Sequence, residues 1–192
     1  MKIIGFVYND GQTEMVLKGD SCLLNGRKPL FMPEWTNELA VTECIILRVS
    51  RLGKEIASKY ASRYFNAIAY GADFIAMDVA REAKAQGKPW TKALAFDYSL
   101  AIGEWMEAYP QQCSTDGHWQ SDRAELFTRE GKGEEEWLIT PEEAIAEASK
   151  VMTIRQGDLI YIQAKCAPRK VEREEVIRKE ADGEEKLYCK IK

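Results

Sequence analysis

The sequence predicts an α+β fold weighted toward β. Short apolar runs bounded by turn residues stand near both ends of the chain, helical patterns are few, and those few lie between the strands. Residues 2–8 form the first apolar run, which ends at the turn Asn9-Asp10-Gly11. Asn25-Gly26 lies between Cys22-Leu23-Leu24 and a second short run ending at Phe31. That dipeptide predicts a type I′ hairpin, because both central residues tolerate positive φ. Residues 41–49 are the strongest strand pattern of the chain.

A first helix is expected over residues 54–68, where Ile56, Tyr60, Tyr64 and Ile68 recur every fourth residue and Gly71 follows as a stop. A second is expected over residues 77–85, closed by Gly87 and Pro89. The clearest start is Thr140-Pro141-Glu142-Glu143, with Thr140 as N-cap, Pro141 at N1 and Glu143 completing a capping box. Gly157-Asp158 then introduces the strand Leu159-Ile160-Tyr161-Ile162. Residues 171–186 are heavily charged and read as a solvated strand pair or loop, with an interaction tail as the alternative.

Length and composition narrow the class of protein. A chain of 192 residues suits a single domain spanning 1–192, able to bury roughly 70% of its unfolded surface. Lys and Arg number 27 against 31 Asp and Glu, a net charge of -4 that argues against nucleic acid or an anionic membrane as partner. The five cysteines (Cys22, Cys44, Cys113, Cys166, Cys189) lack C-x-x-C spacing, so neither a zinc site nor a disulfide framework is expected. No apolar run approaches the roughly 20 residues of a membrane span. A reduced, cytoplasmic setting is the resulting expectation.

Several segments, in one order, resemble a known family. Ile4-Gly5-Phe6-Val7-Tyr8 resembles I-G-x-N-Y, Arg51-Leu52-Gly53-Lys54-Glu55-Ile56 resembles R-L-G-K-x-I, and Gly71-Ala72-Asp73-Phe74 resembles G-I-D-F. Gly87-Lys88-Pro89-Trp90 resembles G-L-P-W, Phe96-Asp97 and Ile102-Gly103 continue the series, and Gly157-Asp158-Leu159-Ile160 supplies G-D-L-I. Taken together they resemble the motifs of the fumarylacetoacetate hydrolase family in its compact form; the likeness weakens between Met106 and Leu138 and after Ile162. The resemblance implies a mixed β-roll or sandwich with flanking helices, a homodimer, and a magnesium or manganese ion. It also implies cleavage, isomerisation or decarboxylation of 2-oxo and 1,3-dioxo acids, with the metal acting as Lewis acid on the substrate oxygens.

The residues expected to carry that chemistry are mostly replaced. A hard cation takes oxygen ligands, and the family supplies an E-x-E on a strand with the Asp of G-x-D-F. Here the two Glu positions fall on Thr42 and Cys44, and only Asp73 matches. Glu43 reads as outward-facing, since recruiting it needs a register slip that also turns Ile45 and Leu47; Glu38 enters only through a shifted alignment. Asp73 reads either as a surviving ligand or as a cap or turn residue ahead of the second helix.

Met77 and Ala80 stand where the family has Arg and Gln, Leu94 where it has Lys, and Gly11 where it has His. Ile162-Gln163-Ala164-Lys165 replaces its T-G-T-P loop. His118 reads as a surface histidine or a general base, and Cys44 as apolar packing or a thiol nucleophile. Glu134-Glu135-Glu136 reads as a solvated loop, and Trp35 with Trp90 as core. The pattern predicts a protein that keeps the fold, has lost metal-dependent catalysis, and serves a binding, regulatory or assembly role, with a homodimer and a small carboxylate as partners. No cofactor is then expected. The alternatives are an active enzyme with a rebuilt site, using Mg or Mn on Asp73 with Glu43 or Glu38, and a heteromer with an active paralogue.

Overall fold

The computed structural model describes residues 1–107, 137–181 and 184–192. The order of its elements begins with β1 (Ile3–Asn9), β2 (Gln12–Lys18), β3 (Leu23–Asn25) and β4 (Leu39–Val49). There follow α1 (Ser58–Ala61), β5 (Phe65–Ala76), α2 (Met77–Ala85), α3 (Thr91–Leu94), β6 (Leu100–Ile102) and β7 (Met106–Glu107). Beyond them come α4 (Pro141–Val151), β8 (Leu159–Gln163), β9 (Arg169–Lys170), β10 (Val176–Ala181) and β11 (Glu184–Lys190). Among the described residues the fold is mostly sheet with few helices, as expected. The main sheet runs β2-β1-β8-β4-β5-β6-β3, with β7 beside β5 and β9 beside β4. Its pairs are mixed: β1 with β8 and β3 with β6 are parallel, whereas β4 is antiparallel to both β5 and β8.

Two expectations are corrected. The helix over residues 54–68 is only the single turn of α1 and a 3-10 turn at Ser62–Tyr64, after which the chain enters the long strand β5. Residues 65–76 are almost wholly apolar and buried, the pattern of a strand covered on both faces, and Ile68 matched the helical period by coincidence. Gly71 is therefore no helix stop. It sits opposite Cys44 in mid-strand, where a Cβ would lie 2.6 Å from Ile46 Cδ1 and 2.7 Å from Cys44 Sγ.

The second correction concerns Asn25-Gly26. Gly26 turns the chain with φ +69°, but no hairpin forms: β3 pairs in parallel with β6, and Leu30 bridges Ile191. Leu24, opposite Ala101, and Leu30, opposite Ile191, are buried in one apolar cluster. The two-residue hairpin lies instead at Asp10-Gly11, where φ values of 49° and 85° join β1 to β2 with Asn9 opposite Gln12. The strand β2 that it creates is half exposed, which hid it in the sequence.

The other expected elements form. α2 spans Met77–Ala85, ends ahead of Gly87 at φ +62°, and α4 carries the full Thr140/Glu143 capping box with Pro141 in its first turn. The charged C-terminal segment becomes the antiparallel pair β10-β11. Among the described residues no helix is long and apolar enough to cross a membrane.

Register divides the main sheet into two faces. Phe6, Ile45, Leu47, Ile68, Ile160 and Ile162 share one face and pack under Ala144, Ile145 and Ala148 of α4. Ile3, Val7, Cys44, Ile46, Leu100 and Tyr161 share the other. The second face also carries Thr42, Asp73 and Gln163, by the pairings Thr42 with Asp73 and Cys44 with Gln163.

Candidate functional site

Asp73 lies inside β5 and is buried, so it is neither a helix cap nor a turn residue. Its Oδ1 accepts a hydrogen bond from Lys18 Nζ at 2.5 Å, and its Oδ2 accepts one from Gln163 Nε2 at 2.7 Å. Gln163 in turn accepts through Oε1 from the backbone N–H of Tyr8 at 2.9 Å. Lys18 also donates to Ser99 Oγ at 3.0 Å and to the Ser99 carbonyl at 3.3 Å, and its ammonium stands 5.7 Å from the centre of the Tyr161 ring. Both side chains of the ion pair are sealed from solvent, at 0% and 1% exposure.

The sheet must curl to bring these groups together. Lys18 ends the edge strand β2, and four strand-to-strand steps separate β2 from β5. At about 4.8 Å per step a flat sheet would set them about 19 Å apart. The face that carries Asp73 is thus the inside of the roll. Gly5, opposite Tyr161 on β1, lets the roll close: a Cβ there would stand 2.1 Å from Tyr161 Cζ.

Two hydroxyls in this interior, Thr42 Oγ1 and Tyr161 OH, are buried without a hydrogen-bond partner among the described residues. Burial, with the negative charge of Asp73 next, pushes the Tyr161 phenol well above its ordinary range. The same two causes in the same order push the Cys44 thiol well up. Cys44 is therefore a neutral, packed thiol rather than an activated nucleophile.

The remaining candidates are dispersed. Met77, Ala80 and Leu94 do come together, but in an apolar cluster with Ala40, Ile75 and Ala93. The three positions are thus apolar together, with Ala80 and Leu94 buried and Met77 partly buried against them. Gly11 sits exposed at the tip of the β1-β2 hairpin, where positive φ accounts for glycine. Glu43 points away from Thr42 and Cys44, as expected, and pairs with Lys179 at 2.7 Å. Glu38 is held by Arg81, with Nη1 2.9 Å from Oε1, so it does not enter the site. Trp35 is not core: it is 41% exposed, edge-on to Phe96 and under Lys92. His118, Cys113 and Glu134-Glu135-Glu136 lie outside the described residues.

The donor set does not fit a hard divalent cation. It comprises one carboxylate with both oxygens hydrogen-bonded, a hydroxyl and a neutral thiol, and an ammonium stands 2.5 Å from the carboxylate. An ion at about 2.1 Å from Asp73 would meet that like charge directly. Among the described residues no group of three His, Cys, Asp or Glu side chains is placed to hold a metal. Lys18, Ser99 and Tyr161 had no place in the sequence-based site. A lysine before Gly19-Asp20 reads locally as solvated, and only the curl of the sheet reveals its partner.

The chain belongs to the fumarylacetoacetate hydrolase family: the model of the fumarylacetoacetate (FAA) hydrolase C-terminal region matches residues 7–182. It is similar to the mitochondrial oxaloacetate tautomerase FAHD1 of Mus musculus, 26% identical over 182 residues, covering 93% of this chain and 80% of the relative. The Rattus norvegicus tautomerase is likewise 26% identical over 181 residues, covering 92% and 80%. In structure it resembles fumarylpyruvate hydrolase from Pseudomonas aeruginosa in complex with Mn2+ and pyruvate, with TM-score 0.71 and 18% identity over 99% of this chain and 88% of that one. The 5-carboxymethyl-2-hydroxymuconate delta-isomerase from Mycobacterium smegmatis gives TM-score 0.72 and 16% identity, covering 99% and 78%. At those identities the structural likeness speaks for the fold alone.

Proposed function

We propose that this protein is a fumarylacetoacetate hydrolase family member that does not use a divalent metal for catalysis and serves a binding, regulatory or assembly role, as a homodimer. The observation that carries this reading is the state of Asp73. It is the one carboxylate at the three family ligand positions, and Lys18 and Gln163 engage both of its oxygens. The other two positions, Thr42 and Cys44, offer a hydroxyl without a partner among the described residues and a thiol held neutral by burial. The apolar packing of Met77, Ala80 and Leu94 supports the same reading, because none of these three side chains carries a charge to meet a substrate carboxylate. Loss of one electrostatic stabiliser alone lowers rates by about 10²–10³-fold.

The direct test is turnover of oxaloacetate, fumarylpyruvate or a related dioxo acid with and without Mg2+ or Mn2+. The expected result is no metal-dependent rate above a protein-free control. A metal-dependent rate that is lost in Asp73→Asn would sink the proposal. Sedimentation of the pure chain tests the homodimer, and a monomer at micromolar concentration would remove that part.

A further inference from the structure

We propose that the outer surface formed by residues 51–63 and the end of α4 docks an acidic polypeptide segment that carries aliphatic side chains between its carboxylates. The proposal deepens the binding part of the functional reading and rests on it. The surface lies beside α4, on the face of the sheet opposite to Asp73. Three stretches of chain meet there. Gly53 and Ile154 exchange backbone hydrogen bonds at 3.0 and 2.9 Å, the Glu55 N–H donates to the Ser149 carbonyl at 3.0 Å, and the Ser50 N–H donates to the Tyr64 carbonyl at 2.8 Å. These bonds set residues 51–55 beside both the end of α4 and the turn that follows α1. Gly53 is buried so closely that a Cβ would stand 2.6 Å from both Ile56 Cδ1 and Tyr64 Cε1. The loop that presents Leu52 and Lys54 is therefore fixed before any partner arrives, which lowers the ordering cost of binding.

The charges on this surface are mostly of one sign. Arg51, Lys54, Lys59, Arg63 and Arg155 are all exposed, and none makes an ion pair with an acid among the described residues. Elsewhere Lys2, Arg27, Arg81, Arg169, Lys179 and Lys190 each pair with an acid. Glu55 is the one acid between residues 51 and 63, and Glu147 of α4 is taken by Lys150. The whole chain nevertheless carries a net charge of -4. Unmatched positive charge gathered on an acidic chain complements an acidic partner and speeds its encounter.

The exposed apolar groups narrow the partner further. Leu52 at 68% exposure and Val151 at 61% are, with Phe31, the most exposed large apolar side chains among the described residues. Cations beside aliphatic groups suit an acidic segment with aliphatic side chains of its own. Nucleic acid fits less well. Tyr60, the exposed ring of this surface, already has Lys59 at 5.0 Å and Arg63 at 5.3 Å, and Leu52 and Val151 offer no ring for a base to stack on. An anionic bilayer extends beyond the patch toward the acidic remainder of the chain, whereas a short segment feels only charges within about 8 Å at physiological salt.

The test is fluorescence anisotropy of a fluorescein-labelled peptide with two glutamates to each leucine, titrated with the full chain. Saturable binding is expected, weakened at least about tenfold by Lys54→Glu/Lys59→Glu and at least about threefold by Leu52→Ser. Lys28→Glu/Lys88→Glu makes the same change in net charge at exposed positions outside this surface, and should shift Kd less than about twofold. All these side chains are exposed, so the far-ultraviolet spectra of the variants should match the wild type. No saturable binding, an equal loss in Lys28→Glu/Lys88→Glu, or an equal affinity for polyglutamate would overturn the proposal. So would binding of phosphatidylglycerol vesicles or duplex RNA that is lost in Lys54→Glu/Lys59→Glu while the peptide does not bind. Metal-dependent turnover would overturn the functional reading and leave this surface standing; absence of peptide binding without such turnover would do the reverse.

Discussion

Replacing Lys18 by Met should expose how much of the fold rests on the interior ion pair. The substitution keeps the bulk of the side chain and removes the charge. Asp73, 1% exposed, then loses the Lys18 cation and keeps the hydrogen bond from Gln163 Nε2 at 2.7 Å. Ser99 Oγ loses its donor as well. Breaking a buried pair from one side costs about 3–5 kcal/mol; the surviving Gln163 bond places this case near the lower end, at about 3 kcal/mol. In a chain of 192 residues that lowers Tm by about 6–12 °C. Asp73→Asn in the Lys18→Met background removes the stranded charge and should recover most of the loss. Urea unfolding followed by tryptophan fluorescence measures all four corners of the cycle, with a coupling of at least about 2 kcal/mol expected. A Lys18→Met loss under about 1 kcal/mol, or losses that simply add, would refute the reasoning.

Other perturbations follow from the same geometry. The Asp158 carboxylate accepts from the backbone N–H groups of Lys2 and Arg155, each at 2.9 Å, and pairs with the Lys2 ammonium at 2.5 Å. Burial raises its pKa, but Lys2 and these N–H groups outweigh burial and hold it below the ordinary carboxylate value. Its stabilisation is thus complete above the unfolded-state pKa and lost as pH falls through the lowered folded value. Asp158→Asn should cost about 1–3 kcal/mol at neutral pH, and its Tm should converge on the wild-type value in acid; parallel curves would contradict this. Tyr161→Phe removes a buried hydroxyl that has no hydrogen-bond partner among the described residues and should be neutral or stabilise by up to about 1–2 kcal/mol in urea unfolding; a clear loss would mean that the hydroxyl is bonded. Thr140→Ala should cost about 1 kcal/mol by deleting the α4 cap, with the far-ultraviolet spectrum otherwise unchanged.

What the sequence disclosed, and what it hid, divides along physical lines. Local signals were readable: the Thr140 capping box, α2 between Met77 and Ala85, and β4 through its apolar run. The family was readable because its motifs keep their order. β5 was misread because a strand covered on both faces is nearly all apolar and carries no alternation, so Ile56, Tyr60, Tyr64 and Ile68 looked helical. β2 was missed because an edge strand buries little. The candidate site was legible as a set of losses at Thr42, Cys44, Met77, Ala80 and Leu94. The Lys18 contact was not, since Lys18 meets Asp73 across 55 residues of sequence and four strand steps of a curled sheet. No local pattern encodes a contact of that kind.

The most direct test of the central claim is a crystal of the wild-type chain soaked in Mn2+, with anomalous differences collected at a wavelength that reports manganese. The account predicts Lys18 Nζ at hydrogen-bond distance from Asp73 Oδ1 and no anomalous peak beside that carboxylate. A peak at about 2.1–2.2 Å from Asp73 would contradict it.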